Sequence, residues 1–388
     1  MKKTLELLNS GTAEDRLSAL FDTVSSETAQ PEGNPDFVNN HIHTFYSFSP
    51  YSPTAAVYFA RAEGLMTAGI MDHDSIAGAR EFIKAGEIAG IATTVGLECR
   101  VSVEGTELQG KRINNPDQKG IAYMALHGVP HHQIENLQQV FAPLREKRNI
   151  RNRKMVEKIN SAVGHCGINI DFDADVLPFS RFGEGGSVTE RHLISSVCKK
   201  VISIAGEGKT AKFVEEKMKI QLDEKQRKRL ADSGNPYLEY DLLAVFKANL
   251  VERIYVPATD ECIHISELSL LSRKTGAMLC YAYLGDVEDS VTGDKKAQKF
   301  EDSYLDVLFD TLESHGVEGV TYMPSRNTAE QLERLQKMCR ERGITEISGE
   351  DINSPRQSFV CRQLEQPQFK HLIGATWKLI ERERELSK

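Results

Sequence analysis

The sequence predicts an α/β fold in which about seven strands alternate with helices and can close into a barrel. Three observations support this prediction. Short apolar segments recur along the chain with helix-like segments between them, side chains that bind metal ions follow several of these segments, and one long charged block interrupts the alternation. With 388 residues, the chain is long enough for one large barrel with an inserted subdomain.

The strands of the first half of the chain are predicted from short apolar segments bounded by turn residues. They are expected at residues 36–43, 67–72, 91–103 and 121–129. Ser52 can cap a helix that has Pro53 at its first position and ends near Gly64. Ser75 can cap a second helix that ends near Gly90. Each of these helices separates two predicted strands, as a parallel sheet requires.

A highly charged and mostly helical block follows the fourth strand, and we predict that it is an inserted helical subdomain. Strand–helix alternation then resumes. Helices are expected at 260–274, 300–315, 328–342 and 368–385, and strands at 277–283, 316–323 and 345–351. The predicted domains are an N-terminal helical extension at 1–35, which ends in a Pro/Gly linker at 30–35, a barrel at 36–134 and 256–388, and the insert at 135–255.

Composition and charge argue against several classes of protein. The net charge of −8 makes a basic nucleic-acid-binding surface unexpected. The N-terminus lacks the apolar core of a signal peptide, and no apolar run approaches the roughly 20 residues of a membrane span. The seven cysteines form no Cys-x-x-Cys pair, which favours reduced thiols. We therefore expect a cytoplasmic protein without nucleic-acid or membrane partners, whose oligomeric state the sequence leaves open.

Side chains that bind metal ions fall at the ends of the predicted strands. In a parallel barrel these ends lie on one face, where active sites form. Residues at positions i and i+2 of a strand point to the same side, so His41 and His43 can chelate one ion. Imidazole and carboxylate ligands suit zinc, manganese and iron. The other candidates at strand ends are Asp72, His73, Glu98, His127 and Asp351.

Such a site suits the hydrolysis of phosphate esters. A divalent metal ion lowers the pKa of bound water, which becomes a hydroxide nucleophile near neutral pH. Cations also neutralise the phosphate oxygens and stabilise the charge of the transition state. A carboxylate such as Glu98 can bridge two ions.

Five segments in order resemble the successive motifs of the PHP (polymerase and histidinol phosphatase) domain family. They are His-Ile-His-Thr at 41–44, Met-Asp-His-Asp-Ser at 71–75, Gly-Leu-Glu at 96–98, Leu-His-Gly at 126–128 and Gly-Glu-Asp-Ile-Asn at 349–353. The resemblance implies a distorted seven-stranded β/α barrel that holds two or three metal ions and hydrolyses phosphomonoesters or phosphodiesters. Family members with a helical insert after the fourth strand include small-molecule nucleotide phosphatases.

The resemblance also assigns metal sites by position. The first site corresponds to His41, His43, Glu98 and Asp351, the second to Glu98 and His127, and the third to His73. The chain departs from the family pattern at three positions where a ligand is expected, namely Phe48, Tyr283 and Asn353. We therefore expect one or two divalent ions (zinc, manganese or iron), with Tyr283 as a ligand of the second ion if the metal deprotonates its phenol.

Further residues are candidates for catalysis and substrate binding. His73 can act as a ligand or a general acid that Asp72 orients, although Asp72 could instead cap the next helix. His192, Arg326, Arg356 and Asn353 are candidate substrate ligands, since arginine binds phosphate bidentately. The basic run at 145–158 could bind an anion, but a solvated helix face is the favoured interpretation.

The sequence therefore predicts a metal-dependent hydrolase, and specifically a phosphoesterase that acts on a small phosphorylated metabolite or nucleotide through a metal-bound hydroxide. Two alternatives remain. The first is a metal-dependent lyase or isomerase of sugar acids on the same barrel, which the aromatic residues Phe48, Tyr281 and Tyr283 favour. The second is a non-catalytic metal-binding module with a degenerate site.

Overall fold

The computed structural model describes residues 2–28, 32–286 and 299–388, so part of the linker predicted at 30–35 lies outside the described residues. The helices are α1 (Lys2–Asn9), α2 (Ala13–Ser25), α3 (Pro53–Ala62), α4 (Ala79–Ala89), α5 (Ile134–Val163), α6 (Glu190–Ala205), α7 (Thr210–Glu216), α8 (Glu224–Ala231), α9 (Leu238–Ile254), α10 (Ile265–Thr275), α11 (Leu305–Ser314), α12 (Ala329–Arg342) and α13 (Lys370–Leu386). The strands are β1 (Val38–Ile42), β2 (Thr67–His73), β3 (Ala92–Ser102), β4 (Ile121–His127), β5 (Ile263–His264), β6 (Met278–Ala282), β7 (Gly319–Tyr322) and β8 (Thr345–Ser348).

Seven strands form one nearly closed sheet in the order β1-β2-β3-β4-β6-β7-β8, and the short β5 pairs with β3 outside this path. The predicted fold class, an α/β barrel of seven strands, is confirmed. The expectation that all strands run parallel is wrong for β4, which is antiparallel to both β3 and β6. The connection from β3 to β4 contains no helix in its described residues, so the two strands pair as in a long hairpin.

The sheet closes where the chain after β8 meets the end of β1. Ile42 and Ile352 form an isolated parallel bridge. The backbone nitrogen of His43 donates to the carbonyl of Ile352 (3.0 Å), and the nitrogen of Ile352 donates to the carbonyl of His41 (3.1 Å). The side-chain amide of Asn40 donates to the backbone carbonyl of the last residue of β8 (2.8 Å). Backbone and side-chain hydrogen bonds therefore join the first and last strands.

The inside of the barrel is apolar at one end, and α13 covers that end. Glu383 of α13 accepts hydrogen bonds from Thr94 Oγ1 (2.6 Å) and from the backbone nitrogen of Val95 (2.9 Å), near the start of β3. Leu379 of the same helix joins a small buried cluster inside the sheet. The other members of this cluster are Met71, Ala125, Met278, Cys280 and Ile347. Polar side chains, among them His43 and Glu98, lie toward the opposite end of the barrel, where β3 ends.

Helix α5 connects two hydrophobic cores. Its early residues, such as Leu137 and Phe141, pack in the barrel core. Its late residues, such as Met155 and Ile159, pack in a second core with α6 to α9. A helix of 30 residues is about 45 Å long, so α5 reaches from one core to the other. The second core lies within the segment predicted as an insert, whereas the first turns of α5 pack on the barrel.

The N-terminal helices hold the loop that follows β1. Arg16 of α2 is buried and donates to both carboxylate oxygens of Glu81 on α4 (2.9 and 2.6 Å). Asn9 at the end of α1 donates to the carbonyl of Pro50 (2.8 Å) and accepts from the backbone nitrogen of Ser52 (2.7 Å). The extension is therefore packed against the barrel next to the end of β1.

Most predicted elements exist, and the differences concern their first or last residues; the last strand, for example, ends at Ser348 and not at 351. Ser52 caps α3 as predicted, with Pro53 at the first helical position. The prediction that Ser75 caps the next helix is wrong: α4 begins at Ala79, and Ser75 Oγ donates to the carbonyl of Gly185 (2.8 Å). Helix α10 begins later than predicted because the short strand β5 precedes it.

Two general expectations can be compared with the fold. None of the helices in the described residues is long and apolar enough to cross a membrane. All seven cysteines are free thiols, as their spacing predicted, and five of them are buried. The cysteines therefore contribute to hydrophobic packing rather than to cross-links.

The closure of the sheet leaves no room for a side chain at Gly349, just after β8. A Cβ atom there would lie 2.6 Å from the Cβ of His41 and 2.9 Å from its backbone nitrogen. We expect Gly349→Ala to lower the free energy of unfolding by about 1–3 kcal/mol, because β1 and the segment that follows β8 must move apart. Chemical unfolding measures this change. Gly374→Ala on α13, where a Cβ meets nothing within 4 Å, is the control and should not destabilise. Equal stabilities of the two variants would contradict the proposed close approach.

Candidate metal centre

One oxygen atom of Glu98 lies among three imidazole rings. Glu98 Oε1 lies 2.9 Å from His73 Nδ1, 3.3 Å from His43 Nε2 and 3.6 Å from His41 Nε2. The parallel register of β2 and β3 pairs His73 with Glu98. The donor atoms of His41, His43 and Glu98 lie within 4.8 Å of one another, so one ion could contact all three.

Asp351 approaches this group from the segment that closes the sheet. Its Oδ1 lies 3.2 Å from His43 Nε2, and its side chain is 39% exposed, more than the other candidate ligands. Asn353 donates from Nδ2 to the same Oδ1 atom (2.6 Å). The structure thus brings His41, His43, Glu98 and Asp351 together. Asn353, which was predicted to contact substrate, holds Asp351 in place, and its contact with substrate stays a prediction.

His127 reaches the centre from the opposite direction. Because β4 is antiparallel to β3, its last residue does not lie at the rim where β2 and β3 end. The expectation that His127 lies at the same rim as the other strand ends is therefore wrong. The register nevertheless pairs Ala125 with Glu98, so His127 points to the same side of the sheet as Glu98. Its side chain is buried. His127 therefore lies deeper in the barrel than Glu98.

The chemistry of these residues fits a divalent metal ion. His41 Nε2 and His127 Nε2 are buried and have no hydrogen-bond partner among the described residues. A buried polar atom without a partner is costly, and such atoms are rare in native proteins. Neutral imidazole nitrogens and carboxylate oxygens are the ligands that zinc, manganese and iron accept. A cation held by His41, His43 and Glu98 would satisfy the nitrogen of His41.

The pKa values describe a strongly coupled group. Burial alone would lower the pKa of His41, but the negative charges of Glu98 and Asp351 outweigh it and raise this pKa to about 9. Burial and the neighbouring His41 lower the pKa of His127 to about 3, so His127 is neutral at physiological pH. Burial opposes the charged form of Glu98, yet His73 and His41 hold the pKa of its carboxyl well below the usual value. The group is therefore built around an anionic carboxylate.

Asp72 lies behind the centre and not beside His73. Its buried carboxylate accepts hydrogen bonds from Thr44 and Ser47, in the loop after β1. Successive residues of a strand point to opposite faces, so Asp72 faces away from His73. The prediction that Asp72 orients His73 is therefore not supported, and the capping alternative does not fit either, since α4 begins later.

Tyr283 is hydrogen-bonded outside the group of His41, His43 and Glu98, and its role as a metal ligand stays a prediction. Its hydroxyl donates to Asp302 Oδ1 (2.5 Å). Burial and this hydrogen bond raise the pKa of Tyr283, which keeps the phenol neutral. Cys280 points into the barrel interior, so its neighbour Tyr281 points outward, where its hydroxyl donates to Glu301 (3.0 Å). These tyrosines therefore give no support to the lyase or isomerase alternative.

The predicted substrate ligands fall into two groups. His192 is buried beside the centre, its ring centroid 5.0 Å from that of Phe48, whose backbone has the rare φ of +81°. Burial and the charge of Arg148 lower the pKa of His192 to about 3. Arg356 instead binds both carboxylate oxygens of Asp241 (2.7 Å each), which joins the barrel to the insert. Its role in substrate binding is therefore not supported.

Arg326 lies in the loop after β7. Its Nε donates to the carbonyl of Leu284 (3.3 Å), and the side chain is partly buried. The contact of Arg326 with a substrate phosphate stays a prediction.

A buried arginine cluster next to the centre was not predicted. It consists of Arg100, Arg145, Arg148 and Arg151, and three carboxylates face it, those of Asp74, Glu190 and Glu261. Asp74 directly follows His73, and Tyr123, whose ring centroid lies 6.0 Å from that of His73, accepts from Arg100 Nε (3.1 Å). The cluster therefore borders the candidate metal ligands.

The favoured interpretation of residues 145–158 as a solvated helix face is wrong for Arg145, Arg148 and Arg151, which are buried. Leu137 and Phe141 lie on the buried stripe of α5, and Arg145 and Arg148 continue that stripe at helical spacing. The spacing was the signal that sequence reasoning missed. Arg153, on the other face of the same helix, is 47% exposed and shows what the prediction assumed for all of them.

We compared the chain with models of known protein families and with known proteins. Residues 39–169 match the PHP domain model. This segment of the chain is similar to a PHP domain. His41, His43, Glu98 and His127 all lie within the matched PHP segment, whereas Asp351 comes from outside it. No curated protein sequence matches the chain significantly.

Two solved structures are similar to this chain in fold. A crystal structure from Bifidobacterium adolescentis, provisionally named a metal-dependent phosphoesterase, is 18% identical with a TM-score of 0.55, over 89% of this chain and 98% of that chain. A structure from Chromobacterium violaceum, named an amidohydrolase and solved with bound sulfate and no metal, is 17% identical with a TM-score of 0.56, over 87% of this chain and 96% of that chain. At these identities the likeness supports the architecture.

The raised pKa of His41 makes metal binding depend on pH. Below a pH of about 9, His41 carries a proton in the metal-free protein, and a metal ion must displace that proton to bind. We expect the apparent affinity for zinc or manganese to fall by about tenfold for each pH unit below that value, with release of about one proton from His41. Calorimetric titration in buffers of different ionisation enthalpy measures this release. An affinity that does not change with pH would contradict the assignment of His41 as a ligand.

Proposed function

We propose that the protein is a metal-dependent hydrolase, and specifically a phosphoesterase that acts on a small phosphorylated metabolite or nucleotide. The observation that carries this proposal is the juxtaposition of two sites: a group of imidazoles and carboxylates suited to a divalent cation, and a buried arginine cluster with more cationic than anionic members. Arginine is the side chain best matched to phosphate, because its planar guanidinium donates two parallel hydrogen bonds.

The ligand residues have distinct roles in this proposal. His41, His43, Glu98 and Asp351 hold the cation, and His127 offers a neutral nitrogen from deeper in the barrel. A divalent cation supplies an acidified water molecule and neutralises charge on the phosphate. One ion is sufficient for this role, and the position of His127 would suit a second.

The residues around the cation complete the reaction. His73 Nδ1 lies 2.9 Å from Glu98 Oε1, where it donates a hydrogen bond, so only the protonated imidazolium form of His73 has a second hydrogen, on Nε2, to give to the leaving oxygen. His192 accepts a hydrogen bond at Nδ1 from the backbone nitrogen of Thr189 (3.0 Å), so in the neutral ring Nε2 is a donor. Arg100 and Arg148 contact Glu190 in the structure, and a phosphate would compete with Glu190 for them.

The scale of the site supports a small substrate in this proposal. The metal-ligand residues other than Asp351 and the arginine cluster are buried or nearly so, and the chain carries a net charge of −8. Both features disfavour a long polyanion such as nucleic acid, which needs an extended basic surface. We propose a cytoplasmic setting because all seven cysteines are free thiols and most of them are buried.

His43 is the most direct test of the proposal. We expect His43→Ala to lose bound metal and to lower phosphate release from p-nitrophenyl phosphate and nucleoside monophosphates by about a hundredfold or more. Elemental analysis and a phosphate assay measure the two effects. His132→Ala, which removes an exposed imidazole, is the control. Full phosphatase activity in metal-free His43→Ala would refute the mechanism, and turnover without phosphate release would favour a lyase.

A substitution in the arginine cluster should weaken substrate binding without loss of bound metal. Arg148→Lys keeps the positive charge beside Asp74 and Glu190 but cannot donate in two parallel directions. We expect KM for the phosphorylated substrate to rise about tenfold with metal content unchanged. Arg153→Lys makes the same exchange on the exposed face of α5 and should not change KM. Identical kinetics in the two variants would exclude Arg148 from the phosphate site.

A further inference from the structure

Ser47 and Asp72 lie at the ring nitrogen of His43 that does not face the other ligands. We infer that they form a positioning pair, which fixes the hydrogen of His43 on Nδ1 and so presents the Nε2 lone pair to the cation. The inference rests on the metal-binding part of the proposed function. Among the described residues, the hydrogen-bond partners of Asp72 are Thr44 and Ser47, and not His73 or the other candidate ligands. In this inference Asp72 acts on His43 through Ser47.

The argument begins with the hydrogen bonds of Asp72. Its Oδ1 accepts from the backbone nitrogen of Thr44 (2.8 Å) and from Ser47 Oγ (2.5 Å), and its Oδ2 accepts from Thr44 Oγ1 (2.6 Å). An ionised carboxylate can only accept hydrogen bonds. The single hydroxyl hydrogen of Ser47 must therefore point at Asp72.

The direction of the next hydrogen bond follows. Ser47 Oγ lies 3.1 Å from His43 Nδ1. Since the hydroxyl hydrogen is already used, Ser47 can only accept here, and Nδ1 must carry the hydrogen that it donates. In the neutral ring the lone pair then belongs to Nε2. The other tautomer would place two lone pairs against each other at 3.1 Å.

The surroundings of Nε2 point to a cation. Nε2 lies 3.2 Å from Asp351 Oδ1 and 3.3 Å from Glu98 Oε1. A lone pair that faces two carboxylate oxygens is repelled unless a positive charge lies between them. A bound metal ion removes this repulsion and uses all three atoms as ligands. The positioning pair and the carboxylates therefore act on the two nitrogens of one ring.

Burial and neighbouring contacts keep this arrangement fixed. His43, Ser47 and Asp72 are each 1% exposed or less, so water does not compete for their hydrogen bonds. The loop that carries Ser47 is also held from outside, since the backbone nitrogen of Ser187 in the insert donates to the carbonyl of Tyr46 (2.7 Å). The ring of His43 therefore has one low-energy orientation.

The test compares Ser47→Ala with the wild-type protein in the absence of substrate. We expect the affinity for zinc or manganese, measured by calorimetry, to fall by about 10–100-fold, because the ring can adopt the other tautomer. Nitrogen-15 NMR of histidine-labelled metal-free protein should show His43 Nδ1 changing from a hydrogen-bearing to a mixed signature, with the His43 signals assigned from a His43→Gln variant. Ser47→Thr keeps the hydroxyl and should restore both properties.

Ser49→Ala is the matched control, because it removes a buried hydroxyl from the same loop and leaves the His43 hydrogen bond intact. Wild-type metal affinity in folded Ser47→Ala, or an unchanged Nδ1 signature, would overturn the inference. If Ser47→Ala does not fold, Ser47→Cys keeps the side-chain volume with a weaker acceptor and should show a smaller loss of affinity. The readouts need no turnover, so a protein that binds metal but hydrolyses no phosphate ester would overturn the proposed function and not this inference.

Discussion

The candidate metal centre depends on one backbone bridge, between Ile42 in β1 and Ile352 after β8. The residues on either side of this bridge, His43 and Asp351, meet because the sheet closes there. An open sheet would leave these two side chains on opposite edges and would expose unpaired backbone groups. The hydrogen bonds that close the barrel therefore also set the distance between two candidate ligands. Stability and ligand geometry are in this way linked at one position.

The reversed direction of β4 is the second constraint. Because β4 runs against its neighbours, it delivers His127 from the far end of the barrel into the layer below Glu98. At the end of β4 the chain therefore lies at the end of the barrel opposite to the rim that carries the candidate site. The long helix α5 returns the chain to that rim, and on its way it contributes Arg145 and Arg148 to the arginine cluster. One reversed strand thus accounts for the deep position of His127, the long helix and the location of the insert.

Much of this arrangement could be predicted from the sequence, and the failures have physical reasons. Apolar segments located the strands, and the i, i+2 spacing of His41 and His43 placed them on one face. Periodicity carries no information on strand direction, so β4 was misjudged. The hydroxyl of Tyr283 donates to Asp302, which lies 19 residues further along the chain, and local spacing does not predict such a distant partner. The arginines on the buried face of α5 were predicted to be solvated because charged side chains are rarely buried, and this general rule was preferred to their helical spacing.

The continuity of α5 restricts how this gene can change over time. A helix advances by roughly 100° per residue, so adding or deleting one residue between Phe141 and Arg145 would rotate everything that follows around the helix axis. The arginines would leave their partner Asp74, and the apolar residues near Met155 would leave the second core. Loops elsewhere can absorb length variation, but this helix cannot. Homologues with the same architecture should therefore conserve the length of this segment even where its residues differ.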